Sequence, residues 1–346
     1  MKRLMRYAAL ALLLLSAAGC HRRPLVDIEN THYVRVYIDE ELLNVTTGFY
    51  DQNNRRPEYA TPTVMRVALF DPSTGKVAGE RYLRGSGRDE RGAFCDGYIS
   101  ADPGDYCLLT YNFGTESTVL RRESDYGSVE AYTNDIAAHL YNYLPSRADA
   151  DDSERIVYDP DHLFVDGCQR VHIPARNYVD TLRNEQGDYF TARSVVKSYY
   201  LQIRVKGMQY ASTAVSLLTG MAGSTILHDR GVRSDNPATI YFEMNRSDDR
   251  SARSDDLTTI YTTFGTFGKL PDHDNRLEVA FDFITVDGRA LSATIDITDK
   301  FSEPDAVEHQ WILLDEIIEI PEPVNSGGGF TPGVGDWGDI NTDIII

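Results

Sequence analysis

The chain has 346 residues, with 34 Lys and Arg against 53 Asp and Glu, and a formal net charge of −19. So acidic an exterior repels phosphate backbones, which excludes nucleic acid as a partner. With 42% hydrophobic residues the chain can bury a sizeable core, and its length suits two domains better than one.

Residues 1–19 read as a signal peptide. Lys2, Arg3 and Arg6 precede an apolar run from Tyr7 to Leu15, and small residues follow. The run is too short to span a bilayer, which takes about 20 residues. Ala17-Ala18-Gly19-Cys20 resembles a bacterial lipobox, with Ala17 where Leu is commoner. The resemblance implies that Cys20 is the lipid-bearing N-terminus after cleavage. A thiol-linked diacyl group plus an amine-linked acyl chain exceeds the two-signal threshold for stable anchoring. The alternative is a secreted protein in which Cys20 is incidental. Cleavage removes three cations, so the mature charge is −19 − 3 = −22. His21-Arg22-Arg23 shows no acidic export signal, so the periplasmic and cell-surface faces of an outer membrane both stay open. Residues 20–30 form a linker.

Residues 31–150 are expected to form a first β domain. Val64–Phe70 is strand-like, Asp71-Pro72-Ser73-Thr74-Gly75 is a turn, and Lys76–Leu83 returns as the partner strand. Gly85-Ser86-Gly87 is a glycine-rich loop. Phe94–Ser100 and Tyr106–Tyr111 flank Ala101-Asp102-Pro103-Gly104-Asp105, which reads as a hairpin turn. Symmetric pairing about it sets Cys95 opposite roughly residue 110, so a Cys95–Cys107 disulfide needs an altered register. Beyond Cys20, the thiols of Cys95, Cys107 and Cys168 are odd in number and cannot all pair within the chain. Val129, Tyr132, Ile136, Leu140 and Tyr143 recur at helical spacing, which predicts a helix between Ser128, a candidate cap, and Pro145. Arg147–Glu154 is a solvated acidic segment near the domain boundary. It lacks the Gly and distal Glu of an EF-hand loop.

Residues 151–322 are expected to form a second β domain. In Tyr199–Lys206 the odd positions are Tyr, Leu, Ile and Val, and the even positions after Tyr200 are Gln, Arg and Lys. This is a strand with one buried face. Further strands are expected at 214–219, 238–244, 260–267, 277–286 and 292–298. Val286-Asp287-Gly288-Arg289 is a hairpin signal, with Asp-Gly suited to positive φ at both turn positions. Trp311–Ile320 mixes periods; a final strand is preferred, with a short helix as the alternative.

The chemistry-bearing patterns are weak. No Gly-x-Ser-x-Gly or His-Glu-x-x-His motif occurs. Gly265-Thr266-Phe267-Gly268-Lys269 lacks the spacing and following hydroxyl of a phosphate loop, and Gly85–Glu90 breaks the dinucleotide pattern. Cys168 and His172 have half-site spacing in a strand-like stretch and read as structural. No catalytic residue, cofactor or metal is expected.

Val67-Ala68-Leu69-Phe70-Asp71, Pro103-Gly104-Asp105-Tyr106, Ser198-Tyr199-Tyr200-Leu201 and Leu217–Gly223 follow the lipobox in order. In that order they resemble the FimB/Mfa type of Bacteroidota fimbrial lipoproteins, and more closely a family of uncharacterised lipoproteins of that group. The resemblance implies two tandem transthyretin-like antiparallel β-sandwich domains. It implies a role as anchor or accessory component of type V fimbriae, with fimbrial subunits as partners. A surface lipoprotein that binds glycan or host protein through its loops is the second reading, and an envelope enzyme the third.

Residues 323–346 read as a Gly/Pro-rich connector and a terminal strand. Ile340, Thr342, Ile344 and Ile346 share one face of an extended segment that begins near Trp337. The isoleucines need a home, either on a sheet of this chain or on a neighbouring subunit.

Overall fold

The structure is a computed structural model that describes residues 30–40, 59–113, 115–147, 155–175, 180–233, 235–247, 257–270 and 276–323. Among them are 21 strands: β1 (Thr31–Ile38), β2 (Met65–Phe70), β3 (Val77–Leu83), β4 (Gly85–Asp89), β5 (Gly92–Ser100), β6 (Gly104–Asn112), β7 (Thr118–Arg121), β8 (Glu130–Thr133), β9 (Arg155–Tyr158), β10 (Phe164–Ile173), β11 (Asp180–Thr181), β12 (Phe190–Ser194), β13 (Lys197–Lys206), β14 (Ala211–Ala222), β15 (Ser224–Ile226), β16 (Pro237–Glu243), β17 (Asn245–Arg246), β18 (Leu257–Thr266), β19 (Glu278–Thr285), β20 (Ala290–Asp296) and β21 (Trp311–Glu319). One short α-helix, α1 (Pro304–His309), precedes β21. No described helix is long and apolar enough to cross a membrane.

The first body is one nine-stranded sheet in the order β3-β2-β6-β10-β12-β1-β5-β4, with β11 also paired to β1. The sheet curls until β3 meets β5. A Cβ on Gly97 would sit 3.2 Å from the Leu83 side chain, so the glycine admits that leucine to the core. Val34, Val36 and Ile38 of β1 point inward with Met65, Val67 and Leu69 of β2 and Phe164 of β10. The alternation of buried and outward positions along β1 fixes its face.

The second body is a sandwich. The sheet β17-β18-β13-β21 faces the sheet β20-β19-β14-β16-β9. Leu201, Ile203 and Val205 of β13 meet Phe281 and Phe283 of β19 in the shared core, as the alternation in β13 predicts. A small sheet, β15-β8-β7, bridges the bodies. Its cluster joins Phe70, Leu109 and Tyr111 of the first body to Ala222, Phe267 and Leu270 of the second.

The fold is mainly β, as expected, but its strands are not all antiparallel. β1 pairs in parallel with β11 and β12, β13 with β21, and β16 with β9. Sheet membership also crosses residue 150. β9 belongs to the second sandwich, whereas β10 and β12 hydrogen-bond into the first sheet. The chain therefore passes between the bodies at 159–163 and again at 195–196.

Several local expectations differ from the structure. The segment 128–143 is not an α-helix. It is β8 followed by a 3-10 turn at Ala138–Tyr143. Its apolar residues serve two surfaces: Val129 joins the interface cluster, while Ile136 and Leu144 cover the outer face of the five-stranded sheet. Residues 101–103 do not close a hairpin. β5 pairs with β1 and β4, and β6 pairs with β2 and β10, so the turn carries the chain between distant parts of the sheet. Cys95 therefore lies opposite Val36 and Ser86 rather than near residue 110, and the three described cysteines are free thiols. The 286–289 turn does form a hairpin, but with positive φ only at Gly288 (+83°). Gly288 donates to the Thr285 carbonyl at 3.0 Å, and Thr285 donates to that of Arg289 at 2.9 Å. Residues 311–320 give the strand and not the helix. The mixed period has a cause: the pairing jumps from Gln202–Leu313 to Arg204–Ile317, so β21 carries extra residues opposite Ile203.

Candidate interaction surfaces

The residues singled out for function, Cys20 and the segment Trp337, Ile340, Thr342, Ile344 and Ile346, lie outside the described residues, as does most of the acidic segment at 147–154. The structure does position the points where the described chain begins and ends. Asn30 accepts the Ala101 amide and donates to Asp102, beside Gly104, which pairs with Ile173 at the far end of β10. β10 begins at the junction and runs away from it, so Asn30 marks the outer pole of the first body. β13 starts at the junction and runs away from it into the second body, and β21 runs parallel to it. Ile320 donates to the Lys206 carbonyl at 2.9 Å, and Arg289 donates to the carbonyls of Pro321 and Glu322. The chain thus leaves the described region at the outer pole of the second body. β10 and β13 have ten residues each. End to end they extend at most about 65 Å at ~3.3 Å per residue.

A half-buried polar knot spans the junction. Asp161 accepts the Ser117 amide at 2.6 Å and the Thr118 amide at 3.0 Å. His162 lies 2.9 Å from the hydroxyls of both Ser194 and Ser198, one at each ring nitrogen. Asp159 accepts the Gly265 amide at 3.2 Å. A Cβ on Gly265 would come within 2.4 Å of the Pro160 carbonyl oxygen, so only glycine lets β18 approach this closely. Burial pushes the Asp159 carboxyl up to about 6 and the His162 imidazole down to about 4. The knot ties β7, β10, β12, β13 and β18 into one unit. It is structural in geometry, because each side chain is spent on holding backbone or a neighbour.

The outer face of β1 and β5 carries a second concentration of chemistry. Tyr33, Arg35 and Tyr37 stand opposite Tyr98, Asp96 and Phe94. Arg35 donates to Tyr33, Asp89 and Asp96 at 3.0 to 3.2 Å, with its guanidinium 3.9 Å from the centre of the Phe94 ring. Tyr33 donates to Asp96 at 2.5 Å, and burial together with that bond pushes its hydroxyl up to about 12. Cβ atoms on Gly85 and Gly87 would meet Asp96 at 2.1 Å and Phe94 at 2.8 Å. The glycines of β4 therefore let these side chains lie flat over the sheet edge. The sequence reading missed this face. The signal was present in Tyr33-Val34-Arg35-Val36-Tyr37-Ile38, whose outward positions alternate aromatic, cation, aromatic.

Cys168 and His172 do not converge. Cys168 is buried in the first core, and His172 binds Asp105 at 2.8 Å on the surface. Among the described residues no group of three or more His, Cys, Asp or Glu is placed to hold a metal. At the edges of the second sandwich, β20 and β21 each pair with one described neighbour.

A family model covers residues 19–243, well over half of the chain. The chain belongs to the DUF5119 family, described as a domain of unknown function. This DUF5119 chain is 27% identical over 371 aligned residues to a Bacteroides ovatus protein named as a candidate fimbrium anchoring subunit, Fim4B, with 96% of each covered. Its fold is similar to the crystal structure of a candidate adhesin from Bacteroides ovatus, at a TM-score of 0.54 and 23% identity, covering 88% of this chain and 99% of that one. The fimbrial anchor protein Mfa2 of Porphyromonas gingivalis aligns at a TM-score of 0.42 and 12% identity, over 84% of this chain and 90% of that one.

Proposed function

We propose that this chain is a non-catalytic anchor or accessory subunit of a fimbrium, held at the outer membrane by a lipid on Cys20 and joined to fimbrial subunits by β-strand contacts. The observation that carries the reading is that the described chain begins and ends away from the junction, once on each body. The segment leading back to Cys20 enters at Asn30, and the segment leading to Trp337 leaves beyond Pro321 on the second body. A tether on one body and a partner-facing segment on the other is the geometry an anchor needs. The shared apolar interface and the polar knot at the junction join the two bodies between these ends. The named role of the Bacteroides ovatus relative, aligned along 96% of both chains, supports the same reading. The division into a membrane-proximal and a partner-proximal domain belongs to this proposal, as does the strand pairing of residues 340–346.

The test is co-purification from the native envelope. A Cys20→Ser variant is expected to leave the membrane fraction. Deletion of 337–346 is expected to keep the protein in the membrane while losing the fimbrial subunit. A deletion variant that still captures the subunit overturns strand-mediated joining, and a Cys20→Ser variant that stays membrane-bound overturns the lipid anchor.

A further inference from the structure

The Tyr/Arg face of β1 and β5 has no part in that reading. We propose that it is a binding site for uronic-acid oligosaccharides. The chain carries a formal charge of −19, yet three guanidinium groups lie within 6 Å of one ring, that of Tyr189: Arg183 at 3.6 Å, Arg91 at 5.8 Å and Arg35 at 5.9 Å. Their duties differ. Arg35 is spent on Tyr33, Asp89 and Asp96 and fixes the platform. Arg91 holds Asp188 through one nitrogen. Arg183 stacks on Tyr189 and acts on the Asp188 carboxylate only through its charge, without a hydrogen bond or contact ion pair among the described residues. A guanidinium seated face-on over a ring keeps its N–H edge free, and that edge matches a carboxylate bidentately. On so acidic a protein, this is where a carboxylate can approach.

The rest of the platform suits a sugar. Tyr98 is 57% exposed and rests edge-on against Tyr33 with ring centres 5.5 Å apart. Its flat ring can carry the C–H face of a pyranose. At the rim, Asp188 is exposed and accepts from Arg91 and the Tyr189 amide through Oδ1 alone, so its Oδ2 can accept a sugar hydroxyl. Gly85 and Gly87 keep the edge strand low, so a chain of several rings can lie across it. An acidic peptide would use the arginine and leave the ring and the acceptor idle. A neutral sugar would use those and leave Arg183 idle. A uronic acid engages all three.

The experiment is isothermal titration of the full chain with tetragalacturonate and with its carboxyl-reduced galactose counterpart. The acidic tetramer is expected to bind at least about ten-fold more tightly, the discrimination of one charge-assisted pair. Arg183→Ala and Tyr98→Ala are each expected to weaken it by about ten-fold or more, with Arg183→Lys retaining part. Tyr82→Ala removes an exposed aromatic on β3 and is expected to change nothing. Thermal unfolding of each variant separates loss of the site from loss of the fold. Absence of tetragalacturonate binding, equal affinity for the two tetramers, or an unaffected Arg183→Ala overturns the proposal. So does loss of a fimbrial partner from the Tyr98→Ala variant without any oligosaccharide binding, which would assign the face to protein.

Discussion

His162 lies 2.9 Å from the Ser198 hydroxyl, so a residue that leads into the first sheet is bonded to β13 of the second sandwich. Proton uptake by this junction links pH to stability in two opposed ways. Burial lowers His162 from 6.5 to about 4, so its contribution is complete above 6.5 and lost as pH falls through 4. Burial raises Asp159 from 3.8 to about 6, so its contribution is complete below 3.8 and lost as pH rises through 6. Between pH 4 and 6 the two slopes offset each other. Asp159→Asn removes one of them. Both side chains keep partial exposure, so we expect a gain of about 2 kcal/mol at pH 7.5, below the full linkage value. The same variant should lose stability more steeply than the parent below pH 6.5. Urea denaturation at pH 4.5 and 7.5 measures both, and parallel pH profiles of variant and parent would remove Asp159 from the account.

Glu130 tests the bridging sheet. Its side chain is buried on β8 and meets Arg121 through two bonds of 2.7 and 2.8 Å. Burial, the largest single influence, opposes its charge, but the Arg121 fork together with Ser224 and the Arg122 charge outweighs it and holds the carboxyl below the ordinary range. Arg121→Met leaves that carboxylate without its principal cation and is expected to cost about 3 kcal/mol. Arg121→Met with Glu130→Leu should recover most of the loss, because the pair is then replaced by apolar volume. A double-mutant cycle by chemical denaturation measures the difference. Equal losses in the single and double variants would show that the pair does not act as a unit.

Local pattern made some elements legible and hid others. β13 was readable because its inward Leu201, Ile203 and Val205 alternate with outward Gln202, Arg204 and Lys206. The Asp71–Gly75 turn was readable because its chemistry is local: Asp71 accepts from the Ser73 and Thr74 amides, and Gly75 has φ of +71°. The helix read at 128–143 failed because helical spacing arose by chance in a segment whose apolar side chains face two bodies. The sheet to which β10 belongs could not be read at all, since its partners β6 and β12 are chosen by non-local packing. Tyr33, Arg35 and Tyr37 were legible as an outward row. What the row does became visible only when Phe94, Asp96 and Tyr189 were brought beside it.

Gly207 governs how the chain leaves the second body. Its φ is +78°, and a Cβ there would lie 2.2 Å from the Ile320 carbonyl oxygen. Lys206 beside it accepts the Ile320 amide. Gly207→Ala adds left-handed strain of about 1–2 kcal/mol and also forces β21 outward at its end. We expect a total loss of about 2–4 kcal/mol and faster proteolysis beyond Glu319. A Gly288→Ala control shares the positive φ, but its Cβ would meet nothing within 4 Å. It should show the strain without the proteolysis. Identical digestion of both variants would separate the exit path from Gly207.

The free thiols give a readout of which parts of the first body open. Cys95 is fully buried and its thiol is pushed up to about 11, chiefly by burial. Cys107 is half-buried and donates to the Gln169 carbonyl at 3.1 Å. The two thiols point to opposite sides of the curled sheet, Cys95 into its core and Cys107 toward the interface cluster. At pH 8 a thiol reagent should label Cys107 first. It should reach Cys95 only at the rate of global unfolding, because the reactive thiolate is scarce and enclosed. Labelling followed by mass mapping across a urea series measures this. Early modification of Cys95 in the absence of urea would mean that β5 opens locally, and the curl that brings β3 against β5 would then be weaker than the packing of Leu83 over Gly97 implies.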